Sequence, residues 1–152
     1  MNVVAKLLSL DNILIDVEVG NKEGLLENVA QFFEWRYDLK APLIYASLRA
    51  REDLGSTAIG HSVAIPHTRI KGLSHTLGAF VRMRHAIDFE AGDGLAVSMA
   101  LILLVPEHVN KEHLDMLAAA ADMFSNKRFR YKLQHTNSTA ETYQAFVDWP
   151  KI

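Results

Sequence analysis

The 152-residue sequence predicts an α/β fold, a layered sandwich in which a small mixed β-sheet is flanked by helices. Three observations carry this reading. Residues 22–35 place Leu25, Leu26, Val29, Phe32 and Phe33 on one face at helical spacing. Residues 96–105, AVSMALILLV, are nearly continuous in apolar side chains, as expected of a strand covered on both faces. A second helical pattern over 111–124 follows, so helices both precede and succeed the strands.

Taken in order, the N-terminal stretch MNVVAKLLSLDNILIDVEV is mildly apolar but interrupted by Lys6, Asp11 and Asp16, and suggests no definite element. Asn21 is a plausible N-cap for the helix over 22–35. Phe32, Phe33 and Trp35 read as core, with part of the Trp35 ring exposed. Pro42 suits the first turn of a second helix, where a missing N–H costs nothing. That helix carries Leu43, Ile44 and Leu48 inward and ends near Arg51 or Glu52. Residues 53–75 hold Gly55, Gly60, Pro66 and Gly72 around the short apolar piece Val63-Ala64-Ile65, and read as loop, short strand, loop. Strands follow over 76–82 and 96–105, the second ended by Pro106. Asn110 caps the helix over 111–124, with Leu114, Leu117, Ala118, Ala121 and Phe124 facing in. A short helix over 127–133 carries Lys127, Arg128, Arg130 and Lys132, a solvated basic face open to an acidic partner. Ser138 and Glu141 fit a capping box at the start of the last helix. No repeat or linker divides the chain, so residues 1–152 read as one domain.

The bulk numbers exclude several classes of function. A formal charge of −2 does not suit wrapping a nucleic-acid backbone or lying on an anionic membrane. The absence of cysteine removes disulfides, thiolate chemistry and Cys-based metal sites. The N-terminus lacks a signal-peptide pattern and no stretch approaches the length of a bilayer span, so the expectation is a cytoplasmic protein with no direct membrane insertion.

Residues 51–69, REDLGSTAIGHSVAIPHTR, concentrate chemistry: two arginines, a Ser-Thr pair, two histidines, and a proline just before the second of them. Pro66 fixes its own φ and restricts Ile65, so the backbone before His67 is pre-positioned. A neutral imidazole is a competent nucleophile near pH 7. Ser56 and Thr57 can donate hydrogen bonds, and Arg51 or Arg69 can neutralise a phosphate or carboxylate with fork geometry. On composition alone, the commoner role of a histidine after a proline in a loop is structural. A metal site from His61 and His67 has neither helical nor zinc-type spacing. His75, His85, His108 and His135 are scattered and read as surface residues.

The string R-E-x-x-G-S-T-x-I-G-x-x-V-A-I-P-H-T-R resembles the signature around the phosphorylated histidine of the fructose/mannitol/nitrogen enzyme IIA family of the bacterial phosphotransferase system. Other segments match in register. Ile87-Asp88-Phe89 resembles the family's I-D-F turn, and Leu103-Leu104-Val105-Pro106-Glu107 its L-L-V-P strand end. Glu112-His113-Leu114 with Leu117 resembles its H-L-x-x-L helix start. The regions around Lys22 and Glu141–Phe146 fit as well, so the resemblance spans roughly 3–147.

The resemblance implies a phosphocarrier with His67 as the phosphorylated nucleophile, His113 stabilising the phosphate and Arg51 balancing its charge. Ser56, Thr57, His61 and Arg69 are possible accessory residues. The donor would be an HPr-type phosphocarrier protein. The acceptor would be a regulatory target protein in the nitrogen-regulatory branch, which is favoured, or the IIB permease component in the sugar branch. A non-catalytic regulatory binding module is the alternative of another class. No cofactor and no metal are implied. His113 falls near the third position of the Asn110-capped helix, where free N–H groups and the helix dipole favour an anion. One departure stands out: the family's Gly-Asn-Gly is here Gly60-His61-Ser62. Either the second glycine's positive φ is not needed, or Ser62 bears it at some cost. His61 either approaches His67 or points to solvent.

Overall fold

The structure, a computed structural model, describes residues 1–108 and 110–151. Helix α1 (Val3–Leu7) and a 3-10 turn (Leu10–Asn12) lead into strand β1 (Ile13–Val17). Helices α2 (Lys22–Tyr37) and α3 (Ala41–Asp53) come next, then three short strands, β2 (Ala58–Gly60), β3 (Val63–Ala64) and β4 (His67–Ile70). The long pair β5 (Leu77–Ile87) and β6 (Val97–Pro106) precedes α4 (Lys111–Ser125), α5 (Lys127–His135) and α6 (Thr139–Asp148).

The sheet is mixed, as the sequence predicts. Strand β1 lies parallel to β5, β5 is antiparallel to β6, and β3 and β4 both run parallel to β6. Strand β2 folds back antiparallel on β3. β3 pairs with Met99 and Ala100, while β4 pairs with residues from Leu103 to Pro106. They are two halves of one interrupted strand, broken at Ile65-Pro66, and His67 is the first residue of the second half.

Alternation along β6 explains its apolar run. Val97, Ala100, Ile102 and Leu104 pack under α2 and α3, whereas Met99, Leu101, Leu103 and Val105 face the layer of α1, α4, α5 and α6. That second layer centres on Phe80, Phe124, Phe129 and Phe146, all buried and meeting mostly edge to face.

Several expectations are corrected. The N-terminal stretch forms α1 and β1; Asp16 sits at φ 57, which breaks the alternation that would have marked a strand. Residues 53–75 contain three short strands, and β5 runs on to Ile87. Leu43 is 64 % and Trp35 73 % exposed, so neither belongs to the core. In α4 the core face is Met116, Leu117, Ala119, Ala120, Met123 and Phe124; Leu114 is exposed and Ala118 points outward. Ser138 caps α6 by accepting the Glu141 N–H, but the Glu141 carboxylate accepts from Asn137 rather than closing a box on Ser138. Arg130 is not purely solvated: its guanidinium donates to the Phe124 and Ser125 carbonyls, closing the C-terminal end of α4.

Candidate functional site

A cleft of about 510 Å³ opens between the end of α3, strand β4 and the first turns of α4. It brings together four residues singled out from the sequence: Arg51, His67, Arg69 and His113. Leu54, Leu114 and Leu117 form its apolar lip. A smaller recess of about 210 Å³ reaches His67 from the other side, past Ser56, Thr57, Ile59 and Ile65.

His67 is half-buried, and its Nδ1 lies 2.8 Å from the Ile65 carbonyl oxygen. A carbonyl only accepts, so Nδ1 carries the proton and a neutral ring presents a bare Nε2. Pro66 makes this geometry possible: the Leu103 N–H holds its carbonyl at 2.9 Å while the chain turns His67 into β4.

His113 has the opposite arrangement. Its Nδ1 accepts the Asn110 backbone N–H at 3.2 Å, and its own backbone N–H donates to the Asn110 side chain at 3.2 Å, a reciprocal cap on α4. An accepting Nδ1 leaves the ring proton on Nε2, so neutral His113 is an N–H donor at the cleft.

Arg51 donates through Nη1 to the Gly55 carbonyl at 2.8 Å, which holds the guanidinium at the cleft wall. Arg69 lines the same cleft and is exposed. The hydroxyl protons of Ser56 and Thr57 are engaged elsewhere. Ser56 donates to the Phe89 carbonyl at 2.6 Å, and Thr57 donates to the Glu52 carboxylate at 2.5 Å.

His61 lines neither recess. It is exposed, and its backbone N–H donates to Asp93 at 2.9 Å. His61 and Ser62 have φ values of 56° and 65°, so Ser62 does bear the left-handed conformation. His75, His85, His108 and His135 are exposed. Among the described residues no three of His, Asp and Glu are grouped so as to hold a metal ion.

Two features escaped the sequence reading. In the lip, exposed Leu114 lies at helical spacing from Leu117 and so imitates a core position, while exposed Leu54 just follows α3. Glu52 lies inside the quoted motif, but its buried partner Lys22 is far away in sequence, and no local pattern announces the pair.

Comparison with known proteins shows the family. Residues 6–148 match the model of the family described as phosphoenolpyruvate-dependent sugar phosphotransferase system, EIIA 2. A Pseudomonas aeruginosa protein named nitrogen regulatory protein is 35 % identical over 136 residues, covering 89 % of this chain and 88 % of its own. The crystal structure of nitrogen regulatory protein IIA-Ntr from Neisseria meningitidis superposes with a TM-score of 0.90 at 40 % identity, covering 95 % of this chain and 99 % of that one. The Escherichia coli mannitol enzyme IIA, solved in complex with phosphorylated enzyme IIB, shares the fold with a TM-score of 0.75 at 17 % identity, covering 92 % and 96 % of the two chains.

Proposed function

The chain belongs to the EIIA 2 family of the phosphoenolpyruvate-dependent sugar phosphotransferase system, and from that premise we propose that it takes a phosphoryl group onto Nε2 of His67. The observation that carries this is the Nδ1–H bond from His67 to the Ile65 carbonyl, which leaves Nε2 as the free lone pair at the cleft. In the transfer, that lone pair forms the new N–P bond while the donor's N–P bond breaks and its electron pair returns to the donor imidazole. No proton need leave His67.

Phosphoryl transfer asks for in-line positioning and stabilisation of charge on the oxygens. His113 Nε2–H donates one hydrogen bond to the group, and the start of α4 adds its dipole. Arg51 supplies the positive charge, with Arg69 at the rim. Ser56 and Thr57 act on the loop's shape, since their hydroxyls already have protein acceptors. His61 stays outside the transfer.

The donor in this reading is an HPr-type carrier protein docking on the leucine lip. Relatives named nitrogen regulatory protein favour the regulatory branch, in which the phosphorylated and free forms bind target proteins differently. The chain would act in the cytoplasm as a single IIA domain; among its described helices none is long and apolar enough to cross a membrane.

The test is intact-mass spectrometry after incubation with enzyme I, an HPr-type carrier and phosphoenolpyruvate at mildly alkaline pH. One added phosphoryl group, absent in His67→Ala, is expected, and ³¹P NMR should show the Nε2 isomer. No gain in mass with the cognate donor would leave the binding-module reading. Onward transfer to a IIB component would select the sugar branch.

A further inference from the structure

Behind the Ile65 carbonyl that holds His67 stands a buried charge. Glu52, 5 % exposed at the end of α3, accepts three hydrogen bonds: from Lys22 Nζ at 3.1 Å, from the Thr57 N–H at 2.9 Å and from the Thr57 hydroxyl at 2.5 Å. Lys22 is itself buried at the start of α2, with its ammonium over the Phe89 ring and within 3.4 Å of Glu90. The chain of bonds continues. The Thr57 carbonyl accepts the Ile65 N–H at 3.0 Å, and the Ile65 carbonyl accepts the His67 Nδ1–H at 2.8 Å. A continuous hydrogen-bonded path therefore runs from a buried ion pair to the imidazole.

We propose that Glu52 is a positioning residue for His67: by pinning the N–H and the hydroxyl of Thr57 it fixes Ile65, and through the Ile65 carbonyl it holds the His67 imidazole in the Nδ1–H form with Nε2 free. Its bearing on phosphoryl uptake rests on His67 being the acceptor; its bearing on the tautomer does not. The reasoning is local. Residues 55–62 contain no helix, and Gly60, His61 and Ser62 all have positive φ, so the turn has little regular structure to hold it. A buried carboxylate taking several donors is a rigid anchor, because releasing any of them leaves an unpaired polar group away from water. Lys22 stands 3.1 Å away as its partner of opposite charge.

Two double variants separate positioning from packing. Lys22→Met with Glu52→Leu replaces the ion pair by apolar side chains of similar size, a change buried pairs often tolerate, but leaves Thr57 without its acceptor. Lys22→Met with Glu52→Gln also lacks the ion pair. Its amide, however, can still accept the Thr57 N–H and donate to the Thr57 hydroxyl. Long-range ¹H–¹⁵N imidazole spectra of both full-length variants would read the His67 tautomer, thermal melting would read the fold, and uptake from the HPr-type donor would read rate. The glutamine variant is expected to keep the Nδ1–H signature and near-native uptake. The leucine variant should show mixed tautomers and uptake slowed about tenfold, as expected for a small misplacement of a reacting group. If the two folded variants have the same tautomer signature, the proposal is wrong and the cluster is structural only. Should the leucine variant not fold, Thr57→Val carries the test: a shift of the tautomer signal in the same direction supports the proposal, and an unchanged signal overturns it. Failure of the native chain to take phosphate would overturn the phosphocarrier reading, while the spectra would still decide the tautomer.

Discussion

Asn110 and His113 hold each other in a closed loop, with each backbone N–H donating to the other's side chain at 3.2 Å. The same contact does two things. It caps α4, and it makes His113 Nδ1 an acceptor, which turns the Nε2–H toward the cleft. Asn110→Ala should therefore lower stability by about 1 kcal/mol and also slow phosphoryl uptake. Asn110→Ser keeps a capping oxygen, so it should recover most of both. Melting curves and single-turnover uptake check this. An alanine variant that loses stability with native uptake would show that the side-chain cap is not needed to orient His113 for transfer.

Arg51 is held at the cleft wall by the Gly55 carbonyl, and its planar fork is suited to two phosphate oxygens at once. Lysine keeps the charge but not the fork. We expect Arg51→Lys to slow uptake about tenfold and Arg51→Ala about a hundredfold, in the range of losing one charge-stabilising group. Both should still end with one phosphoryl group on His67. Rapid-quench uptake with a saturating donor gives the order, and equal rates for Lys and Ala would remove the case for bidentate contact.

The region around His67 is legible in sequence because its determinants are local: Pro66 restrains the chain just before His67, and Asn110 lies three residues from His113. The long apolar strand β6 is legible for a similar reason, since burial on both faces removes polar residues from the run itself. What sequence hides is of two kinds. Strand β1 is short, and Asp16 at positive φ spoils its alternation. Leu114 obeys the same helical periodicity as Leu117, yet Leu117 packs against the core while Leu114 stands exposed at the cleft rim, and apolar periodicity cannot distinguish these two uses of an apolar face. The Lys22–Glu52 pair belongs to the second kind as well, because only the packing of α2 against α3 brings it together.

Ser62 has φ 65, a conformation that costs a residue with a Cβ roughly 1 kcal/mol and a β-branched residue more. Ser62→Gly relieves this but enlarges the freedom of the unfolded chain, so its net effect should lie between zero and a gain of about 1 kcal/mol. Ser62→Val should cost about 1–2 kcal/mol. Urea unfolding should rank Gly at or above Ser, and Val below both. In the same loop, His61→Asn should leave phosphoryl uptake unchanged, since the ring is outside the cleft.

Asp93 ties the neighbouring loop to this turn. N–H bonds from Leu95 and His61 hold its carboxyl below its ordinary value of 3.8. A native value lower than the unfolded one means that ionised Asp93 stabilises the fold fully above pH 3.8. That contribution is lost as pH falls through the lower native value. Asp93→Asn should therefore be less stable than the native chain at neutral pH, with the gap closing in acid as both side chains become neutral. Unfolding midpoints measured against pH test the sign, and a gap that widens on acidification would contradict it.

Leu54 is 85 % and Leu114 60 % exposed on either side of the cleft that holds His67. Exposed leucines are ordinary when scattered, but two at the mouth of one cleft would, under the proposed function, serve as a contact surface for a macromolecular donor. Leu54→Asp and Leu114→Asp should each raise the donor concentration needed for half-maximal uptake by about tenfold, the loss expected from disrupting one well-packed anchor. Uptake from a small donor such as phosphoramidate should be unaffected, because such a molecule reaches Nε2 without touching the lip. That contrast separates docking from chemistry. If the substitutions slowed the protein and small-molecule donors equally, the leucines would be shaping the cleft itself, and the donor protein would dock elsewhere.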